Sequence, residues 1–142
     1  MPEEKRRAAL AIAAVVNKNY HFLMVQKEND IQWSIPKEIL LEFEHFPVPI
    51  FRATNINVRL HRMMDIDTCI DESAGKHVVT FCHIGSYVEG RAKAGSGLKY
   101  ARFIKIQKIY ELADQDLIDP YSQRMFEEAG IYLPSQGERN QA

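Results

Sequence analysis

The chain has 142 residues, 46% hydrophobic and 26% charged, which fits one domain of ordinary size with a real core. Its formal net charge of −1 and pI near 6.5 exclude a global basic field, so nucleic-acid binding would have to rest on a local patch. Cys69 and Cys82 form no CxxC or Cys/His cluster, so neither a zinc site nor a disulfide framework is indicated, and both read as small buried residues in a reducing compartment.

Lys5-Arg6-Arg7 ahead of Ala8 to Val16 imitates a signal peptide, but the apolar run is short and flows into a strand pattern. It reads as structure, and the protein as cytoplasmic, with no segment of bilayer-crossing length. Ala9 to Glu28 gives two β-type runs around Asn17-Lys18-Asn19, a hairpin. Ile56 to Leu60 alternates like a half-buried strand. His77 to Val88 is the strongest strand signal, and the polar Asp71 to Lys76 before it reads as a hairpin loop. Ala92 to Leu98, mostly small residues with two glycines, reads as a mobile loop, after which Tyr100 to Ile106 resumes a strand pattern. From Asp116 the chain reads as helical. Leu117, Ile118, Tyr121, Met125 and Phe126 recur at helical spacing, Pro120 lies near the start and Gly130 marks the stop. The polar tail 134–142 is expected to be disordered, leaving 1–133 as a single domain. Several strands with one short and one longer helix predict an α/β or α+β sandwich.

At Trp33-Ser34-Ile35-Pro36 the sequence resembles the Nudix superfamily, whose pattern runs W-x-[LI]-P-G-G into the Nudix box, G-x5-E-x7-R-E-U-x-E-E-x-G-U. The order of elements is similar from about Ala8 to Gly130, down to Lys108-Ile109-Tyr110-Glu111-Leu112, which resembles the short segment after the family's last strand. The resemblance implies an α/β/α sandwich with a mixed β-sheet. In the family, glutamates of the box hold magnesium against a diphosphate and position the attacking water. Glutamates three and four apart on a helix share one face, so their oxygens converge on one cation.

The box is degenerate here. Lys37 and Glu38 follow Pro36 where the family has two glycines. Without gaps, Glu44 matches the first box Glu, Arg52 the box Arg, and Ala53, Ile56 and Asn57 the helix carboxylates. A second register, shorter by about one helical turn, lets Thr54 to Val58 stand for the family's T-G-L-x-V exit, with Asn55 in the left-handed position. It sets Arg52 and Ala53 on the paired glutamates, with Val48 and Pro49 on the Arg-Glu pair. Both registers lack every helix carboxylate. Pro47 and Pro49 restrict Phe46 and Val48, so a helix is expected to begin only near Pro49 and, if Asn55 ends it, to span fewer than two turns.

Among candidate site residues, Glu42 and Glu44 could face one way on an extended loop and hold a weak cation, and Glu44 is the only catalytic candidate. A solvated acidic edge is the plainer account. Asp65, Asp67, Asp71 and Glu72 match no complete calcium loop. The loop Ala92 to Lys99 contains no acid, so the family's other source of a general base is missing. Lys37 and Arg52 are the ligand-binding candidates, because cationic side chains in place of the metal would bind a phosphate without hydrolysing it. Lys99, Tyr100, Arg102, Phe103, Lys105, Lys108 and Tyr110 interleave basic and aromatic residues as a single-strand RNA surface does, although strand alternation also accounts for them. His77 and His83 read as packing or edge residues, and Trp33 as a structural anchor.

The resulting expectation is a Nudix-fold domain without metal-dependent hydrolysis. It is read as a nucleotide-sensing or protein-interaction module that needs no cofactor and, as the resemblance implies, a possible homodimer. The alternative is a divergent hydrolase of a nucleoside diphosphate linked to another moiety, using magnesium with Glu42, Glu44 or a partner's carboxylates. RNA binding is the third reading.

Overall fold

The computed structural model describes residues 8–71 and 75–133. The tail 134–142, Lys5-Arg6-Arg7 and Glu72 lie outside the described residues. Strands β1 (Ala8–Lys18) and β2 (His21–Lys27) form the expected hairpin. Asn19 and Tyr20 turn it at positive φ, and the Asn17 side chain accepts the Tyr20 amide at 3.0 Å, a local bond typical of asparagine in turns.

β1 then divides one of its edges. Its C-terminal end pairs with β2, while Ala11, Ile12 and Ala13 pair with the short β3 (Lys37–Ile39). Along its other edge runs the parallel β5 (Lys76–Glu89). β4 (Asn57–Asp71) pairs antiparallel with β5, and β6 (Leu98–Lys105) with β2. The product is a mixed six-stranded sheet in the order β4-β5-β1-β2-β6, with β3 beside β1.

Alternation along β1 sorts the core into two layers. Ile12, Ala14 and Val16 pack with Ile50, Ile56 and Val58 under α1 (Val48–Thr54). On the other face, Ala13 and Val15 pack with residues of α2 (Ile106–Asp114) and α3 (Pro120–Glu128), including Ile109, Leu112, Met125 and Phe126. A strand covered on both faces reads as an unbroken apolar run, and Ala11 to Val16 is buried throughout. This is the α/β/α sandwich with a mixed sheet that the resemblance implies.

Three elements differ from expectation. β4 continues to Asp71, following β5 through register shifts between Leu60, Met63 and Asp65; bulges of this kind break the period-two pattern that would have revealed its length. The segment after β6 is a third helix, α2, which buries Ile109, Leu112 and Ala113 at helical spacing. α3 begins at Pro120 rather than Asp116, because the preceding residues pair with the Trp33 segment: the Trp33 amide donates to the Leu117 carbonyl at 2.8 Å, and the Asp119 amide to the Trp33 carbonyl at 3.1 Å. Among the described residues no helix is long and apolar enough to cross a membrane.

Candidate functional site

Trp33 to Pro36 is a wedge in the gap where β1 and β2 diverge. Ser34 exchanges both backbone hydrogen bonds with Val25 at 2.8 Å, the Pro36 carbonyl accepts the Ala14 amide at 3.2 Å, and the Ile35 amide donates to the buried Ser122 hydroxyl at 2.9 Å. Trp33 stacks on Tyr100 with centroids 5.8 Å apart.

After Pro36 the chain stays extended. Lys37 and Glu38 enter β3, a conformation natural to residues with side chains. The Leu40 amide donates to the Leu10 carbonyl, and the chain then turns sharply. The Glu44 amide closes the turn on the Leu41 carbonyl at 3.1 Å, with Phe43 at φ +65°. One Glu44 oxygen accepts the Leu41 amide at 2.7 Å, and the other accepts the Arg52 guanidinium. The second terminal nitrogen of Arg52 donates to the Ile39 carbonyl. The Arg52 hydrogen bond, then the Leu41 amide, hold the Glu44 carboxyl below the usual range. Glu44 and Arg52 are the residues that the gapless register sets on the box Glu and box Arg, and they form one lock across the loop.

α1 has seven residues and closes at Asn55, whose φ is +64° and whose amide donates to the Phe51 carbonyl. The helix therefore ends where expected and has fewer than two turns. It starts at Val48, one residue ahead of the expected position, with Pro49 in its first turn, where the missing amide hydrogen costs nothing. The loop after β5 is pinned against the helix end: the Lys93 amide donates to Thr54 at 2.9 Å and the Gly95 amide to Ala53 at 2.8 Å, satisfying terminal carbonyls. A β-carbon on Gly95 would stand 2.7 Å from the Arg52 carbonyl oxygen.

These residues do not fit magnesium. Ala53 and Ile56 are buried and apolar, and Asn57 opens β4. Among the described residues no three His, Cys, Asp or Glu side chains converge. Glu42 is exposed and Glu44 is turned to Arg52, so the loop does not aim the two carboxylates at one point.

Behind the wedge lies a cavity of about 120 Å³, lined by Lys27, Ser34, Lys37, Asp119, Tyr121 and Ser122 among others. That is room for several waters or for one phosphate-sized group. Lys37 Nζ stands 5.1 Å from the Tyr121 ring centroid. Asp119 Oδ1 and the Tyr121 hydroxyl are buried without a well-formed hydrogen bond among the described residues. Burial raises the Tyr121 hydroxyl, and it pushes the neighbouring Cys82 thiol up to about 12, so both stay protonated at neutral pH. The fold thus brings Lys37 to the cavity, whereas Arg52 is spent on the loop lock. Lys27, Asp119, Tyr121 and Ser122 were not read from sequence as site residues, Tyr121 being taken only as part of the helical stripe. The available signal was Ser122 itself, a polar residue three and four positions before Met125 and Phe126 on the buried stripe of α3.

Several of the remaining candidates have local partners. Arg124 reaches Asp65 and Asp67, each at 3.4 Å, and Lys108 reaches Glu111 at 3.7 Å. Arg102 lies 4.1 Å over the Tyr100 ring, and Phe103 packs edge-on against Tyr87 with Lys18 4.1 Å over Tyr87. His77 is exposed. His83 is buried beside Phe46, and that burial lowers its pKa.

A mixed sheet between helices, with its first strand split by a Trp-Pro wedge and a short helix over the split, defines the Nudix class of fold. No family model and no curated protein matches the chain, but solved structures do. A Nudix hydrolase from Nitrosomonas europaea aligns with a TM-score of 0.69 at 20% identity over 90% of this chain and 93% of that one. A MutT protein from Methanosarcina mazei Go1 gives 0.65 at 16% identity, over 88% and 94%. A bifunctional NMN adenylyltransferase/ADP ribose pyrophosphatase from Francisella tularensis, in complex with AMP and a manganese ion, gives 0.62 at 22% identity over 89% of this chain and 43% of that longer one. The chain has the Nudix fold.

Proposed function

We propose that this Nudix-fold chain carries a degenerate box and acts as a non-hydrolytic module that senses a nucleotide through its phosphate. The observation behind this reading is the Glu44–Arg52–Ile39 lock: a guanidinium holds the loop together while Ala53 and Ile56 stand at carboxylate positions. Lys37 and Lys27, at the edge of the cavity, are the cations that receive the phosphate, as point charges with movable donors. Arg52 joins them only by leaving Glu44. Asp119 Oδ1, an acceptor without a partner among the described residues, suits a sugar hydroxyl or amino group of the same ligand.

Calorimetric titration with a nucleotide panel, with and without magnesium, tests this. The expected result is binding that does not need the metal, no phosphate release, and at least about tenfold weaker affinity in Lys37→Ala, or roughly 1.4 kcal/mol. Absence of binding, or binding indifferent to Lys37→Ala, overturns it. A second reading, a divergent hydrolase of a nucleoside diphosphate linked to another moiety, draws support from the hydrolase descriptions of the fold neighbours. Magnesium-dependent turnover that disappears in Glu44→Gln selects that reading instead.

A further inference from the structure

Positive charge is segregated along this chain. Between Gly90 and Tyr110 stand six Lys or Arg and no Asp or Glu, while the other 121 residues hold twelve Lys or Arg against nineteen Asp or Glu. The basic segment forms the loop after β5, all of β6 and the start of α2, and β6 is an edge of the sheet. At an edge, alternation does not hide half of the side chains: both rows flank one open rim. Arg91, Lys93, Lys99, Arg102 and Lys105 are exposed, and none has an ion-pair partner among the described residues. Lysine on an edge strand guards against unwanted pairing, but that task requires neither the exclusion of every acid nor an aromatic residue at the end of the rim.

Two side chains at the rim are ordered in advance. Arg102 lies 4.1 Å over the ring of Tyr100, and Tyr100 is itself stacked on Trp33. A guanidinium held on a ring keeps its charge and its donors. The second is Tyr20. The two-residue turn between β1 and β2 puts Asn19 at φ +50° and Tyr20 at φ +63°, a geometry that ordinarily takes asparagine followed by glycine. Tyrosine stands in the glycine place and is 76% exposed, so no packing offsets the strain. A local rule broken without structural gain points to function. The turn is held firmly: Asn17 accepts the Tyr20 amide, and the Ile106 amide donates to the Tyr20 carbonyl at 3.0 Å. Because His21 pairs with Lys105, the turn that carries the ring adjoins the Lys105 end of the rim.

We infer that the β6 rim and Tyr20 bind a single strand of nucleic acid, with phosphates on Lys99, Arg102 and Lys105 and a base stacked on Tyr20. Lys99 to Lys105 spans about 20 Å of strand, enough for a few nucleotides. A track of cations with an aromatic platform is the arrangement that such a ligand needs. A membrane surface would call for apolar side chains along the rim, whereas the exposed residues of β6 are Lys99, Arg102 and Lys105. RNA and DNA share the chemistry that the rim reads. The site uses neither Lys37 nor the cavity behind the wedge.

Fluorescence anisotropy of the full chain tests this, with labelled oligoadenylate and oligodeoxyadenylate of about twelve nucleotides, both without terminal phosphates. The expected result is binding of one or both, weakening with salt at a log–log slope of about −2 for three phosphate contacts. Arg102→Ala should flatten that slope by about 0.7. Tyr20→Gly should weaken binding at least about fivefold while the melting temperature stays equal or rises, because glycine suits the turn; this separates the lost platform from a lost fold. The inference is overturned if neither oligomer binds, if an abasic oligomer of the same length binds equally well, or if Tyr20→Gly has no effect. Binding that disappears in Lys37→Ala and survives Tyr20→Gly belongs to the cavity and overturns it too. So does a chain that binds vesicles containing phosphatidylserine and neither oligomer.

Discussion

Glu44 was weighed from sequence as a ligand for a metal, and the fold gives it a different task. Its two oxygens are divided between the Leu41 amide and Arg52, and those hydrogen bonds depress its pKa. A depressed carboxyl contributes stability that is fully present above its unfolded value and lost as pH falls through the folded one. The lock is therefore complete at neutral pH and opens in acid, as pH falls through the lowered Glu44 value. Amide exchange at Leu41, followed by NMR as pH is lowered, should show protection lost in that range, and Glu44→Gln should abolish the pH dependence. Unchanged protection down to pH 2 would count against the lock. Phe43 belongs to the same turn: replacing it with glycine releases left-handed strain of roughly 1–2 kcal/mol, partly offset by about 0.5–1 kcal/mol of extra unfolded-chain entropy. The net change, from about 0 to about 1.5 kcal/mol in favour of folding, is measurable as an equal or higher urea midpoint. Neither feature was legible in sequence, because glutamate and phenylalanine in a loop announce neither a partner eight residues on nor a φ angle.

Elements were legible where the chain carries backbone punctuation. Pro47, Pro49 and Asn55 bracket α1, and each acts through local sterics that no distant packing has to supply. The strand β4 was half legible, since its regular start gives way to bulges. The helix α2 was missed because it has no side-chain cap and follows a strand without a break. The loop after β5 looked loose because it is built of small residues, yet their smallness is what lets it lie against α1. Gly95 shows this most directly, with its amide on the Ala53 carbonyl and no space for a β-carbon beside the Arg52 carbonyl. Gly95→Ala should force the loop off the helix end and cost about 1–3 kcal/mol, as overpacking does. Equilibrium urea unfolding measures it; a loss within experimental error would mean that the loop yields freely.

At the scale of the whole molecule, the sandwich followed from composition and pattern, but the cavity did not, because it exists only where distant segments meet. Lys37 was named from its place after the Trp-Pro entry, while Asp119, Tyr121 and Ser122 reach the same cavity from α3 and its lead-in. The join is specific: Ile35 lies in the wedge, and its amide is satisfied by the buried Ser122 hydroxyl. Ser122→Ala leaves that amide buried without a partner, at a cost of about 1–3 kcal/mol. The strain falls on the segment that carries Lys37 two residues later, so two readouts should move together. Urea unfolding should show the lost stability, and nucleotide titration at a temperature where the variant remains folded should show weaker binding. Ser122→Thr, which keeps the hydroxyl, should restore affinity if the added methyl is accommodated. Lost stability with unchanged affinity would separate the wedge from the cavity, and the wedge would then hold the fold without positioning the ligand.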